Sequence, residues 1–180
     1  MSYFLAVDLD DPVREQVAAT IRAHQAAFPA KWIRPERLHV TVLFLGSPAH
    51  PAPLCALMRS VASAFDRFEL RLSGSGTFET ARAASVLWLG VAGDLGQLEA
   101  LRAAALDTFG AHVPAEERTR LYRPHLTLGR SSQLLGFEPI REALSALQTK
   151  PFTAAHLSLY ESTGVGFRLA QRVAFSRAAG

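Results

Sequence analysis

Cysteine is all but missing: Cys55 is the only one in 180 residues, so no intrachain disulfide can form and a crosslinked framework is excluded. Its setting, Leu54-Cys55-Ala56-Leu57-Met58, reads as helix, where a small buried hydrophobe fits better than a nucleophile. Long apolar runs are missing too. The opening stretch runs for about seven residues before Asp8, Asp10 and Asp11 interrupt it, too short and wrongly flanked for a signal peptide or a membrane span. Nothing resembles a linker or a low-complexity tract. Excess charge is also small, since 19 Lys and Arg against 16 Asp and Glu leave a formal +3, which by itself only weakly favours anionic partners. What remains is the expectation of a soluble, cytoplasmic protein, without a membrane partner, folding as one domain over 1–180 with 49% hydrophobic residues to fill its core.

What is present is a repeat. His39-Val40-Thr41-Val42-Leu43-Phe44 and His125-Leu126-Thr127-Leu128-Gly129-Arg130 both read as apolar strands that carry a histidine and a threonine two residues apart. Strict alternation puts His39, Thr41 and Leu43 on one face and Val40, Val42 and Phe44 on the other; His125 and Thr127 likewise oppose Leu126 and Leu128. By the same rule Arg130 points away from His125 unless a bulge or the strand end turns it, and Gly129 is a natural place for a kink. A lone histidine in a strand is usually structural. Two with the same partner at the same spacing call for a shared explanation.

The elements around the motifs repeat as well. Residues 3–9 read as strand, 12–28 as helix and 38–45 as the first motif strand; 85–92, 94–109 and 124–130 follow the same order, and helical patterns at 53–66 and 139–148 come after the two motifs. Asp11 with Pro12 predicts the start of the first helix, and Asp94 with Gln97 a capping-box-like start of the third. Strands over 152–161 and 166–175, joined through Ser162-Thr163-Gly164-Val165, form a late hairpin. Together these predict an α+β fold of mixed or antiparallel sheet with helices on its outer faces, made of two copies of one unit.

Paired histidines and hydroxyls suit phosphodiester chemistry. Cutting such a bond without a metal needs a base for the attacking water, an acid for the departing oxygen, and donors for the non-bridging oxygens. Histidine titrates near neutrality, so one copy can act neutral and the other charged. On this reading His39 and His125 are catalytic, and Thr41, Thr127 and Arg130 bind phosphate. Zinc is the rival explanation, but neither motif offers a carboxylate or sulfur at ligand spacing, so neither a metal nor a cofactor is expected. Lys31, Arg34 and Arg37 precede the first motif and Arg118, Arg120 and Arg123 the second, which suggests a positive field over the site. His24, His50, His112 and His156 lack a threonine partner in such a strand and read as structural.

These residues carry a resemblance. Tyr3-Phe4-Leu5-Ala6-Val7, the run Trp32-Ile33-Arg34-Pro35-Glu36-Arg37-Leu38-His39-Val40-Thr41 with Phe44-Leu45-Gly46, Val86-Leu87-Trp88-Leu89-Gly90-Val91, and Tyr122-Arg123-Pro124-His125-Leu126-Thr127-Leu128-Gly129-Arg130 resemble the two-histidine phosphoesterases, and within them the RNA 2′,3′-cyclic phosphodiesterases formerly called 2′-5′ RNA ligases. The resemblance implies two pseudo-symmetric lobes, each with one motif, around a central cleft. It implies metal-independent opening of a terminal 2′,3′-cyclic phosphate to a 2′-phosphate, with RNA ends or small cyclic-phosphate nucleotides as partners of a monomer. Family members often place an arginine just before the strand matching Val86-Leu87-Trp88; here Arg82 is followed by Ala83-Ala84-Ser85, which weakens a substrate role for Arg82. A 2′-5′ RNA ligase, a 2′,5′-oligonucleotide or ADP-ribose cyclic phosphodiesterase, and an RNA-binding module without catalysis are the alternatives. Arg130 beside His125 would disfavour its charged form, so His125 is expected to be the base and His39 the acid.

Overall fold

The computed structural model describes residues 2–28, 30–47, 52–79, 85–131, 138–163 and 166–176. In chain order these form β1 (Tyr3–Asp8), α1 (Asp11–His24), β2 (Lys31–Trp32), β3 (His39–Leu45), α2 (Ala52–Ala62), β4 (Phe68–Glu79), β5 (Ser85–Gly93), α3 (Leu95–Thr108), α4 (Ala115–Thr119), β6 (His125–Ser131), α5 (Glu138–Ser145), β7 (Phe152–Ala154), β8 (His156–Thr163) and β9 (Gly166–Ala174). The α+β expectation holds, and every described pairing is antiparallel. His50, Arg82 and the Gly164-Val165 turn lie outside the described residues.

One nine-stranded sheet runs β7-β4-β5-β6-β3-β1-β8-β9, with β2 added on β6. The two motif strands are neighbours at its middle. β4 follows the first motif in the chain yet pairs with β5, and β8 follows the second yet pairs with β1, so the two halves of the sheet exchange strands. The sequence pattern merged β7 and β8 into one strand over 152–161; the structure divides it at Ala155. Because β7 and β8 stand far apart in strand order but are joined by one residue, which spans only about 3.5 Å, the sheet must curl until those positions meet.

One face of the sheet takes the helices. Tyr3, Leu5 and Val7 of β1, Val40, Val42, Leu43 and Leu45 of β3, and Leu126 and Leu128 of β6 join Val13, Val17 and Ile21 of α1, Leu54, Met58 and Val61 of α2, and Leu98 and Leu101 of α3 in a single core. Phe4 and Ala6, the alternate residues of β1, face the other way with Tyr160 and Phe167. Helix starts differ from expectation by local chemistry. Asp10, not Asp11, caps α1 by accepting from the Val13 N–H at 3.0 Å, which sets Pro12 one position further into the first turn, where its missing N–H costs no helix bond. Asp94 makes no side-chain cap on α3; its carboxylate accepts instead from the Glu69 N–H at 3.1 Å, tying the helix start to β4.

Candidate active site

A bulge in each motif strand decides which side chains reach the helix-free face. On β1, Leu5 is opposite Leu43 and Ala6 opposite Thr41, so Val42 is left without a partner; on β5, Leu87 is opposite Gly129 and Trp88 opposite Thr127, which leaves Leu128 out in the same way. The burial sequence of the two strands is then identical residue by residue. Beyond the bulge the alternation slips by one. Leu43 turns into the core and Phe44, 43% exposed, joins the face of His39 and Thr41, the reverse of the strict-alternation expectation. Arg130, at the position matching Phe44, comes onto the face of His125 and Thr127 by the same slip. The kink sits at Leu128 rather than at Gly129.

β3 and β6 meet through the pair Val40 and Leu126. Antiparallel register from that pair sets His39 across from Thr127 and Thr41 across from His125, so each histidine stands by the other motif's hydroxyl. Both imidazoles are anchored alike: Nδ1–H of His39 donates to the Arg37 carbonyl and Nδ1–H of His125 to the Arg123 carbonyl, each at 2.7 Å. A carbonyl only accepts, so the Nδ1 proton is fixed and Nε2 is left to take or give one.

Their surroundings differ. His39 stacks on Phe4 at 4.9 Å between ring centroids, meets Phe167 edge-on at 4.9 Å and lies 5.5 Å from Tyr160. Behind this cage Asp8 accepts from Tyr160 and from Ser158, each at 2.6 Å, and pairs with Arg172 at 2.8 Å. His125 has Phe78 edge-on at 4.9 Å and Trp88 at 6.1 Å; Trp88 lies so close over β4 that a Cβ on Gly76 would overlap the indole. Burial drives the pKa of His39 down to about 4, outweighing the Arg37 hydrogen bond and the Asp8 charge that raise it. Burial also lowers His125, again against its carbonyl bond, with Arg120 and Arg130 adding to the fall. Arg130 acts on both histidines and is a minor cause at each, so its charge does not single out His125 as the base.

A cavity of about 260 Å³ opens beside His125, its wall including Thr41, Phe44, Phe78, Tyr122, Arg120 and Arg123. His39, Thr127 and Arg130 are not among its lining residues. Among the described residues no group of three or more His, Cys, Asp or Glu side chains could hold a metal ion, and no helix is long and apolar enough to cross a membrane. His24 bonds the Thr20 carbonyl at 2.9 Å within its own helix, and His156 lies in the field of Arg172 and Asp8. The aromatic cage and the two carbonyl anchors escaped the sequence reading. The anchors had a faint signal, an arginine two residues before each histidine, but it is their backbone that serves.

The family model of the 2′-5′ RNA ligase superfamily matches residues 9–166. The RNA 2′,3′-cyclic phosphodiesterase of Archaeoglobus fulgidus is 31% identical over 132 residues, covering 72% of each chain. That of Geobacillus stearothermophilus is 30% identical over 166 residues, 89% of this chain and 52% of the relative, so the chain spans about half of that protein's length. In fold, the crystal structure of TT0787 from Thermus thermophilus superposes with a TM-score of 0.71 over 99% of this chain and all of that one, at 24% identity. With a family model covering most of its length and both motifs meeting at the centre of one sheet, the chain belongs to the 2′-5′ RNA ligase superfamily.

Proposed function

We propose that this protein is an RNA 2′,3′-cyclic phosphodiesterase, working in the cytoplasm as a monomer in which one chain supplies both motifs. Water attacks the cyclic phosphorus, the bond to the 3′ oxygen breaks, and the product carries a 2′-phosphate and a free 3′-hydroxyl. His39, with the lower pKa, takes the water's proton; His125 gives a proton to the 3′ oxygen; Thr41, Thr127 and Arg130 hold the non-bridging oxygens. The observation that carries this is the matched anchoring of both imidazoles through Nδ1 on one face of adjacent strands, with Nε2 of each unbonded among the described residues. It also weighs against a module that only binds RNA. Burial favours the neutral form of both imidazoles, which serves phosphate binding less well than the fixed charge of lysine or arginine would.

The direct test offers purified protein nucleoside 2′,3′-cyclic phosphates, an oligoribonucleotide ending in a cyclic phosphate, 2′,5′-linked oligomers and ADP-ribose cyclic phosphate side by side. Exclusive 2′-phosphate product from the first two is the expected result; cleavage of only the 2′,5′ linkage, or no turnover, refutes it. Thr41→Val and Thr127→Val should each cost about 1–3 kcal/mol of transition-state stabilisation, a roughly 5- to 150-fold loss in kcat/KM. Full activity in both would make the threonines ordinary strand residues.

The pH dependence of kcat/KM should be bell-shaped and displaced to the acid side of neutrality. One histidine must be neutral, so the rate falls as pH drops towards about 4, the His39 value; the other must be charged, so it falls as pH rises through a His125 value below 6.5. The limbs belong to the pair. Folding stability shares part of this window. With its folded pKa depressed, His39 contributes stability that is complete above pH 6.5 and declines as pH falls towards 4, by up to about 3 kcal/mol. Assays on the acid limb therefore need recovery of full activity on return to pH 6. A maximum above pH 7.5 would contradict the lowered values.

A further inference from the structure

A bulge removes a carbonyl from regular pairing, and a buried carbonyl must find another donor. The two motif strands solve this differently. In β6 the Leu128 carbonyl accepts from the backbone N–H of Ile33 at 2.8 Å. In β3 the Val42 carbonyl accepts from Arg102 Nη1 at 2.8 Å, and the neighbouring Thr41 carbonyl accepts from the Tyr122 hydroxyl at 3.0 Å. Side chains thus prop one bulge where backbone props the other.

The prop is itself built rigidly. Arg102, only 6% exposed, donates through Nη1 to Glu117 Oε1 at 2.8 Å and through Nη2 to the Glu117 carbonyl at 3.1 Å. Its guanidinium lies over the Tyr122 ring, 4.7 Å from the centroid. Burial raises the pKa of Tyr122, which keeps its hydroxyl protonated and donating. Arg102, Glu117 and Tyr122 border the same cavity as Thr41 and His125.

The geometry points to Tyr122 and Arg102 as positioning residues for the first motif: by holding the carbonyls of Thr41 and Val42 they fix the bulge and aim the Thr41 hydroxyl at the substrate phosphate. Neither touches the reacting atoms. This rests on the phosphodiesterase reading, in which Thr41 donates to a phosphate oxygen. Tyr122→Phe is the informative change, because it keeps the ring over the guanidinium and deletes only the donor to Thr41.

The experiment is a double-mutant cycle of Thr41→Val and Tyr122→Phe with 2′,3′-cyclic AMP. Tyr122→Phe should lower kcat/KM roughly 2- to 10-fold, and it should cost nothing further in the Thr41→Val background, where no hydroxyl is left to aim. Losses that multiply in the double variant overturn the inference. So does a Tyr122→Phe protein that melts lower but keeps its kcat/KM, as a merely structural tyrosine would. Affinity for inorganic phosphate, read by calorimetry on the same four proteins, separates the two readings. If the wild type opens no cyclic phosphate, the phosphodiesterase reading fails, while non-additive phosphate binding still supports the positioning role and additive binding still refutes it.

Discussion

His39→Ala and His125→Ala are each expected to lower turnover of a 2′,3′-cyclic phosphate by roughly 10²–10⁴-fold, the usual worth of a positioned acid or base. Each imidazole is held by one carbonyl bond and touches mainly aromatic rings on the helix-free face, so deletion should leave the helix-side core intact and the far-ultraviolet circular dichroism unchanged. The two variants should differ with the leaving group. A nitrophenyl phosphodiester departs without protonation, so it should restore much of the loss in the variant lacking the acid and none in the variant lacking the base. If His125 is the acid, rescue belongs to His125→Ala; rescue confined to His39→Ala would reverse the roles and return them to the assignment made from sequence. Near-wild-type rates for either variant would end two-histidine catalysis here.

The site was legible in the sequence where period and spacing coincide, and illegible where geometry breaks the period. His39, Thr41, His125 and Thr127 precede the bulges, so simple alternation placed them correctly on one face. Strict alternation puts Phe44 and Arg130, which follow the bulges, on the wrong face. A bulge formed by Val42 or Leu128 carries no sequence mark, because consecutive apolar residues such as Val42 and Leu43 look the same in a flat strand and in a bulged one. The division of β7 from β8 was hidden likewise. Phe152 to Glu161 is a continuous strand-like run, and only long-range pairing with β4 on one side and β1 on the other separates its parts. The Asp8, Ser158, Tyr160 and Arg172 network behind His39 joins residues some 150 positions apart, beyond any local pattern. Arg102 was hidden for the same reason, as one charge in a helix whose partners lie on β3 and α4.

Glu117→Leu should be the most damaging single change to the fold. Arg102 and Glu117 are each 6% exposed, and removing the carboxylate leaves the guanidinium buried with only carbonyl oxygens and the Tyr122 ring to offset its charge. Breaking a buried pair from one side costs about 3–5 kcal/mol. For a chain of this size that is roughly 6–20 °C in Tm, a large part of the 5–15 kcal/mol that ordinarily holds a domain folded. The double variant Arg102→Met with Glu117→Leu removes both charges and should recover most of the loss. It should not recover all of it, since the Val42 carbonyl, outside regular pairing at the bulge, then loses its donor at about 1–3 kcal/mol. Thermal and urea unfolding of the two single variants and the double one read both steps. A Glu117→Leu protein within about 2 °C of wild type would mean that the pair is solvated in solution, and full recovery in the double variant would mean that the bulge does not depend on Arg102 at all.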